Sequence, residues 1–431
     1  MLFKNITILD ENLDVRSNMY VGVRGGRIDY IEAVPPAAWT DYGKVYDGRG
    51  KLLMSGFYNS HAHSPMSLLR GYGENLALQD WLNTRIFPFE DKLTGEAVYW
   101  GTMLSMAESL RFGIVSSTDM YYFCDDMAKA VLESGAKNNI SRGIVSFGDE
   151  ELWETEKFKE CSSFFRQFHN AGDGRVLVDM SIHAEYTNTD KSVSQLADYA
   201  KRIGTRMQVH VSETREEHEE CKMRHDGLTP VEYFHKMGVF DSPTTAAHCV
   251  WIEGEDFDIL AEKGVTAASC PVSNLKLASG VCNVPELLKR GVNVAIGTDG
   301  AASNNSLNFI EEMKFFSVIH KGKFGDPTVI TPKQTLYAAT RAGALSQGRE
   351  DCGKLAKGFR ADLIVLDVNQ PHMHPVHNLL NNLVYSADGR DVALTMVDGK
   401  VLYKDGEYLS IDVEKTICEA ERVTQDILRQ L

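Results

Sequence analysis

The stretch Gly56-Phe57-Tyr58-Asn59-Ser60-His61-Ala62-His63 sets two histidines one residue apart, just after an apolar run of Leu52, Leu53 and Met54. Along a β-strand, residues i and i+2 project to the same face, so both imidazoles reach one point in space. That arrangement suits a divalent metal, for which imidazole is the commonest protein ligand. Alone, the pair reads equally well as two surface histidines at a strand end. The rest of the chain decides between the two readings.

Downstream, short apolar segments alternate with helical ones. Strands are predicted at 57–60, 114–118, 143–147, 176–182, 207–211, 244–247, 265–268 and 292–296. Helices are predicted at 96–111, 127–136, 193–203, 214–224 and 256–263. Eight strands alternating with helices predict an α/β fold, a (β/α)8 TIM-type barrel over residues 56–355. No Gly-x-Gly-x-x-Gly follows a strand, which leaves a dinucleotide-binding sheet the weaker option.

Barrels of this type carry their chemistry at the C-terminal ends of the strands. Here the first strand ends in His61 and His63, the fourth in His183, and the fifth runs His210-Val211-Ser212-Glu213. The sixth ends in His248 and the eighth in Gly297-Thr298-Asp299-Gly300. One histidine at a strand end is ordinarily a packed core residue. Five histidines and an acid on strand ends of one barrel describe a site.

The flanks read differently. Strands are predicted at 2–9, 20–23, 27–31 and 44–47, and again at 362–366, 392–397 and 400–403, where Asp398-Gly399 is a hairpin turn. Residues 1–55 and 356–431 are therefore expected to build one small β-sandwich domain from both termini.

The totals exclude several classes. A formal charge of -15 argues against nucleic acid, which needs a basic face. Eight cysteines without a Cys-x-x-Cys pair give no disulfide framework. The N-terminus lacks a signal-peptide pattern, and no run approaches the roughly 18 apolar residues of a membrane span. A cytoplasmic enzyme, with no membrane partner, is expected.

His61, His63, His210, His248 and Asp299, in that order on strands one, five, six and eight, resemble the amidohydrolase superfamily over nearly the whole chain. Longer strings narrow the likeness: Leu68-Leu69-Arg70-Gly71-Tyr72, Leu78-Gln79-Asp80-Trp81-Leu82, the run from Cys270 to Gly280, and Gly297 to Asn305. They resemble the methylthioadenosine/S-adenosylhomocysteine deaminase group, whose relatives include triazine chlorohydrolases and guanine deaminases.

The resemblance implies roles. His61, His63, His210 and Asp299 would hold one divalent metal per subunit, zinc first, although iron and manganese accept the same donors. Asp299 would take a proton from the attacking water, Glu213 would deliver one to the ring nitrogen, and His248 would steady the intermediate. Trp81, Glu90, His183, Glu213 and Ser303 would contact a nucleoside: Trp81 by stacking, Glu90 at the ribose hydroxyls, His183 at the purine. Arg142 would meet a charged tail, from its own or a neighbouring subunit of a homo-oligomer.

Other readings stay open at this point. Glu213 reads also as an acid at a helix N-terminus, and His248 as a core histidine. Trp81 reads as a tryptophan buried under a loop, Glu90 as a cap or ion-pair acid. The run Pro371-His372-Met373-His374-Pro375-Val376-His377 looks metal-like but lies beyond the barrel. Two departures from the group's pattern bear on the substrate. The run 149–154 is acidic where homocysteine-binding members tend to carry an arginine, and Glu185 stands where many carry proline. The expected activity is hydrolytic deamination of 5′-methylthioadenosine, 5′-deoxyadenosine or adenosine ahead of S-adenosylhomocysteine. The alternatives are another N-heterocycle, guanine- or triazine-like, or a non-enzymatic scaffold.

Overall fold

The computed structural model describes residues 1–431. Five strands open the chain: β1 (Leu2–Leu9), β2 (Val15–Arg24), β3 (Arg27–Glu32), β4 (Val45–Asp47) and β5 (Lys51–Ser55). The next nine are β6 (Phe57–Ala62), β7 (Ile114–Tyr121), β8 (Lys137–Ile144), β9 (Val176–Val178), β10 (Met180–Ile182), β11 (Met207–Val211), β12 (Thr244–His248), β13 (Thr266–Ser269) and β14 (Asn293–Ile296). Four more close it: β15 (Leu363–Asp367), β16 (Val392–Val397), β17 (Lys400–Lys404) and β18 (Glu407–Tyr408).

The middle strands pair in parallel in the order β14-β13-β12-β11-β10-β8-β7-β6, with β9 extending the pairing of β8. A parallel bridge between Ala62 and Asp299, with the Asp299 amide donating to the His61 carbonyl at 2.9 Å, joins first strand to last. Helices such as Gly95–Arg111, Asp190–Ile203 and Phe309–Phe324 lie between strands, and the result is the (β/α)8 barrel. The outer strands form a second, mixed sheet ordered β18-β17-β16-β15-β5-β1-β2-β3, in which β15 from the C-terminal part pairs antiparallel with β5 from the N-terminal part. Chain ends that are far apart in sequence therefore share one sheet, whose inner side buries Phe3, Ile6, Ile8, Val21, Leu53, Leu363 and Leu394.

The two sheets are joined covalently at Gly56, between β5 and β6. A Cβ there would sit 2.3 Å from a Val115 methyl, so the close crossing of β6 over β7 requires glycine. They are joined electrostatically at Lys137. Its ammonium, 1% exposed, donates to Asp362 at 2.5 Å and to Asp398 at 2.7 Å, and Tyr58 donates to Asp362 at 2.7 Å.

The third barrel strand differs from the expected 143–147: it begins at Lys137 and ends at Ile144. Its polar residues Lys137, Asn138, Asn139 and Ser141 are all buried. Asn138 donates to Asp119, Asn139 to Asp179 and Ser141 to the Asp119 carbonyl inside the barrel, while Lys137 reaches out to Asp362 and Asp398, so a strand without an apolar pattern finds polar partners.

Candidate active site

Five side chains from the ends of four strands converge at the mouth of the barrel. His61 lies in β6 and His63 just beyond it, His210 in β11, His248 at the end of β12, and Asp299 after β14. The ligand atoms of His61, His63 and His210 lie within 4.8 Å of one another, as do those of His61, His248 and Asp299. His61 Nε2 stands 3.5 Å and His63 Nε2 3.3 Å from Asp299 Oδ1, and His210 Nε2 is 3.3 Å from His63 Nε2.

Neighbouring groups orient these donors. His63 Nδ1 is 2.6 Å from the Met120 carbonyl and His210 Nδ1 2.6 Å from the His183 carbonyl. A carbonyl only accepts, so each Nδ1 carries the proton and each Nε2 presents a bare lone pair to the centre. Asp299 Oδ2 accepts from Ser273 at 2.6 Å and from Ser303 at 2.8 Å, which leaves Oδ1 for the same centre. His61 Nε2 is buried without a hydrogen-bond partner. Lone pairs and a carboxylate oxygen facing one another at 3.3–3.5 Å repel unless a cation lies among them. Three imidazoles and one carboxylate are the donor set of a catalytic divalent site, so the residues present fit the metal.

Burial sets the charges. It holds His61 and His183 down to about 4, so both are neutral near pH 7. Burial pushes the Asp299 carboxyl up, but the three imidazoles around it outweigh that and keep it well below the usual range. Glu213 is raised by burial; its Oε2 is 3.7 Å from His248 Nε2. Burial disfavours a charged His248, yet the carboxylates of Glu213 and Asp299 prevail and its pKa is raised. His248 Nδ1 is tied to Asn274 Oδ1 at 2.8 Å. The two side chains thus face each other at ion-pair distance, each shifting the other's pKa.

Geometry bears on the open readings of these two residues. The helix Arg215–Arg224 is capped by Thr214 with Glu217 as the reciprocal acid, so Glu213 lies ahead of the cap and its side chain does not cap the helix. Glu217 accepts the amides of Ser212, Glu213 and Thr214 and fixes that turn. His248 (φ 70°) and Asp299 (φ 62°) both occupy the left-handed region, which is costly for a side chain and typical of functional sites.

A cavity above these residues is lined by Trp81, Ile86, Glu90, Tyr121, His183 and Ser303 together with His63, His210, Glu213, His248 and Asp299. Trp81 and Glu90 come from the segment between Leu78 and Glu90, which crosses the mouth with one π-type turn at Leu82–Ile86. Trp81 is buried both by that segment and by the cavity wall, so its two readings coincide. Burial raises Glu90 to about 7. Arg142 does not reach this inner cavity. It faces an adjoining outer cavity of about 660 Å³, lined also by Phe87, Asp91, Phe123, Phe147 and Lys157. Its guanidinium donates to Glu160 at 3.0 Å and lies 4.9 Å over Tyr122.

Other expectations land elsewhere. Within the acidic run, Glu151 turns to Lys191 at 2.6 Å and Asp149 offers its carbonyl to the same lysine. Glu185 is buried and held by Arg224 at 2.7 Å and His225 at 2.6 Å. His372 pairs with Asp391 at 2.8 Å, and no three donors of the 371–377 loop converge. Tyr121 and Tyr122 line the mouth but were not singled out from the sequence, although the end of the second strand was the place to look. Asn274 and Ser273 sit inside a string quoted above; only the fold shows what they hold.

Comparison with known proteins agrees with this geometry. The model of the amidohydrolase family matches residues 52–402. A 5-methylthioadenosine/S-adenosylhomocysteine deaminase of Dictyoglomus thermophilum is 41% identical over 386 residues, 90% of each chain. A 5′-deoxyadenosine deaminase of Methanosarcina mazei is 40% identical over 387 residues, 90% of this chain and 89% of that one. The crystal structure of an adenosine deaminase from Xanthomonas campestris with bound zinc superposes with a TM-score of 0.93 at 29% identity, covering 100% of this chain and 98% of that one. No helix is long and apolar enough to cross a membrane.

Proposed function

The chain belongs to the amidohydrolase family, and we propose that it is a hydrolytic deaminase of adenine nucleosides. The observation that carries the proposal is one cavity in which the donor cradle, the facing Glu213–His248 pair and the polar groups of Glu90 and His183 come together. The reaction replaces the 6-amino group by oxygen: water adds to the ring carbon, ammonia leaves, and the ring carbonyl remains.

His61, His63, His210 and Asp299 would hold a divalent ion, zinc in the first place, which when bound would supply a water acidified from about 15.7 toward 7. Asp299 would accept the proton which that water gives up. Glu213, whose pKa burial raises, delivers a proton to the ring nitrogen beside the attacked carbon, so charge does not build on the ring. His248, fixed through Asn274, hydrogen-bonds the oxygen being added. Trp81 and His183 flank the purine, and Glu90 accepts from the ribose hydroxyls. Ser303, donating to Asp299, closes the floor.

The outer cavity takes the 5′ substituent. Phe87, Phe123 and Phe147 make it apolar, and its two cations are committed: Arg142 to Glu160, Lys157 to the Val145 carbonyl. Glu90 and Asp91 add carboxylates. This favours 5′-methylthioadenosine, 5′-deoxyadenosine or adenosine over S-adenosylhomocysteine, whose amino-acid carboxylate would meet these two carboxylates and an Arg142 already paired with Glu160. The same proposal divides the chain into a sheet unit, 1–55 with 356–431, and a catalytic barrel, 56–355, with Gly56 as the joint. It places the enzyme in the cytoplasm as a homo-oligomer with no nucleic-acid or membrane partner.

The test is steady-state kinetics of the zinc-loaded enzyme on the four nucleosides, followed by ammonia release and loss of adenine absorbance. S-adenosylhomocysteine is expected to have the lowest kcat/KM. Absence of ammonia from all four would refute the proposal.

A further inference from the structure

Of the three imidazoles in the cradle, His63 is the one that packing holds least: its side chain is 12% exposed, against 2% for His61. It follows the last residue of β6 and lies on the cavity wall, so something other than burial must fix its ring. Two consecutive residues near the end of β7 do so. Met120 accepts from His63 Nδ1 through its carbonyl. The fully buried side chain of Asp119 grips the next residue in the chain, accepting the Ser64 amide on Oδ1 at 2.5 Å and the Ser64 hydroxyl on Oδ2 at 2.8 Å. Asn138 from β8 donates to the same Oδ2 at 2.5 Å.

We propose that Asp119 is a positioning residue for the metal: it locks the His63–Ser64 turn so that the Nε2 lone pair of His63 points at the donors of the neighbouring strands. The inference rests on the metal reading given above. The geometry is a two-point clamp, in which one residue of β7 holds the ring and the residue before it holds the backbone beyond the ring. The β6–β7 ladder pairs Ala62 with Asp119, so the clamp sits in register with the ligand it serves. A carboxylate is needed because all three partners at this point are donors. An amide in its place would turn an N–H₂ toward Asn138 or Ser64.

Groups that orient metal ligands without touching the metal typically cost 10- to 100-fold in metal affinity when lost. For the full-length chain we expect Asp119→Asn to weaken zinc binding by about that factor, measured by competition with a chromophoric chelator. The increase in thermal midpoint on adding zinc should shrink accordingly. A purely structural role would lower the midpoints of zinc-free and zinc-bound protein together and leave the affinity unchanged. Ser64→Ala, which removes only the hydroxyl contact, is a milder second variant should the first fold poorly; it should weaken zinc by about tenfold, the lower end of that range. Zinc affinity within twofold of the wild type in both folded variants would overturn the role of Asp119 while leaving the cradle intact. A wild-type chain that binds no zinc would overturn the cradle and this inference with it.

Discussion

Replacing Glu90 by glutamine separates the cost of a group from its use. Burial beside the cavity raises the Glu90 carboxyl from 4.5 to about 7, and Tyr121 offsets only part of that. In the unfolded chain the group ionises near 4.5; in the folded chain it stays protonated until about 7. Because the folded-state pKa is the higher one, stability falls as pH rises through this window. At 1.36 kcal/mol per unit, the penalty is about 1 kcal/mol at pH 5.5 and grows to about 3 kcal/mol at pH 8.5. Solvent reaching the carboxylate through the cavity makes the larger figure an upper bound.

Glu90→Gln keeps the shape and removes the ionisation. The variant should be more stable than the wild type, and its advantage should widen by about 2 kcal/mol between those two pH values. Thermal midpoints of both proteins, compared at the same pH, cancel every other titrating group. In the same variant KM for adenosine should rise while kcat changes less, because an acceptor for the ribose hydroxyls is lost and the reacting centre is untouched. An advantage that is constant or shrinks with rising pH would refute the assignment of Glu90 as a buried, strained acid.

Two further outcomes follow from the geometry. Glu213→Gln and His248→Asn should each lower kcat by about 10²- to 10⁴-fold while zinc content, measured by atomic absorption, stays at the wild-type level; loss of metal in either would move that residue from acid–base work to ligation. Lys137→Met should cost about 3–5 kcal/mol in denaturant unfolding, since it leaves the fully buried Asp362 without its cation, while Asp398 keeps Arg360; a loss below about 1 kcal/mol would mean that the ion pair adds little beyond its own desolvation.

What could be read in advance follows a physical division. Seven barrel strands were legible because their residues are apolar and short runs of such residues between helices have one common fate. The third was misplaced by several residues, because Lys137, Asn138 and Asn139 look like loop residues until Asp362, Asp398, Asp119 and Asp179 are brought to them across the barrel. The donors His61, His63, His210 and Asp299 were legible because a metal demands particular side chains at strand ends. Their supports were not. Met120 and His183 act through backbone carbonyls, which any residue has, and Ser273, Asn274 and Asp119 act through partners set by the fold. The acidic run lies apart from the outer cavity: none of its residues lines it, and Glu151 pairs with Lys191 instead.

The seam at which Ala62 meets Asp299 has a consequence for how the enzyme comes to life. His61 and His63 are made early in translation and Asp299 late, and the donor set straddles the point where the last strand docks on the first. An emerging chain with seven strands has three imidazoles but no carboxylate among them, and its barrel is an open sheet. Metal captured then would be held loosely and exchange freely. Once β14 docks, closure of the barrel and completion of the cradle are one event.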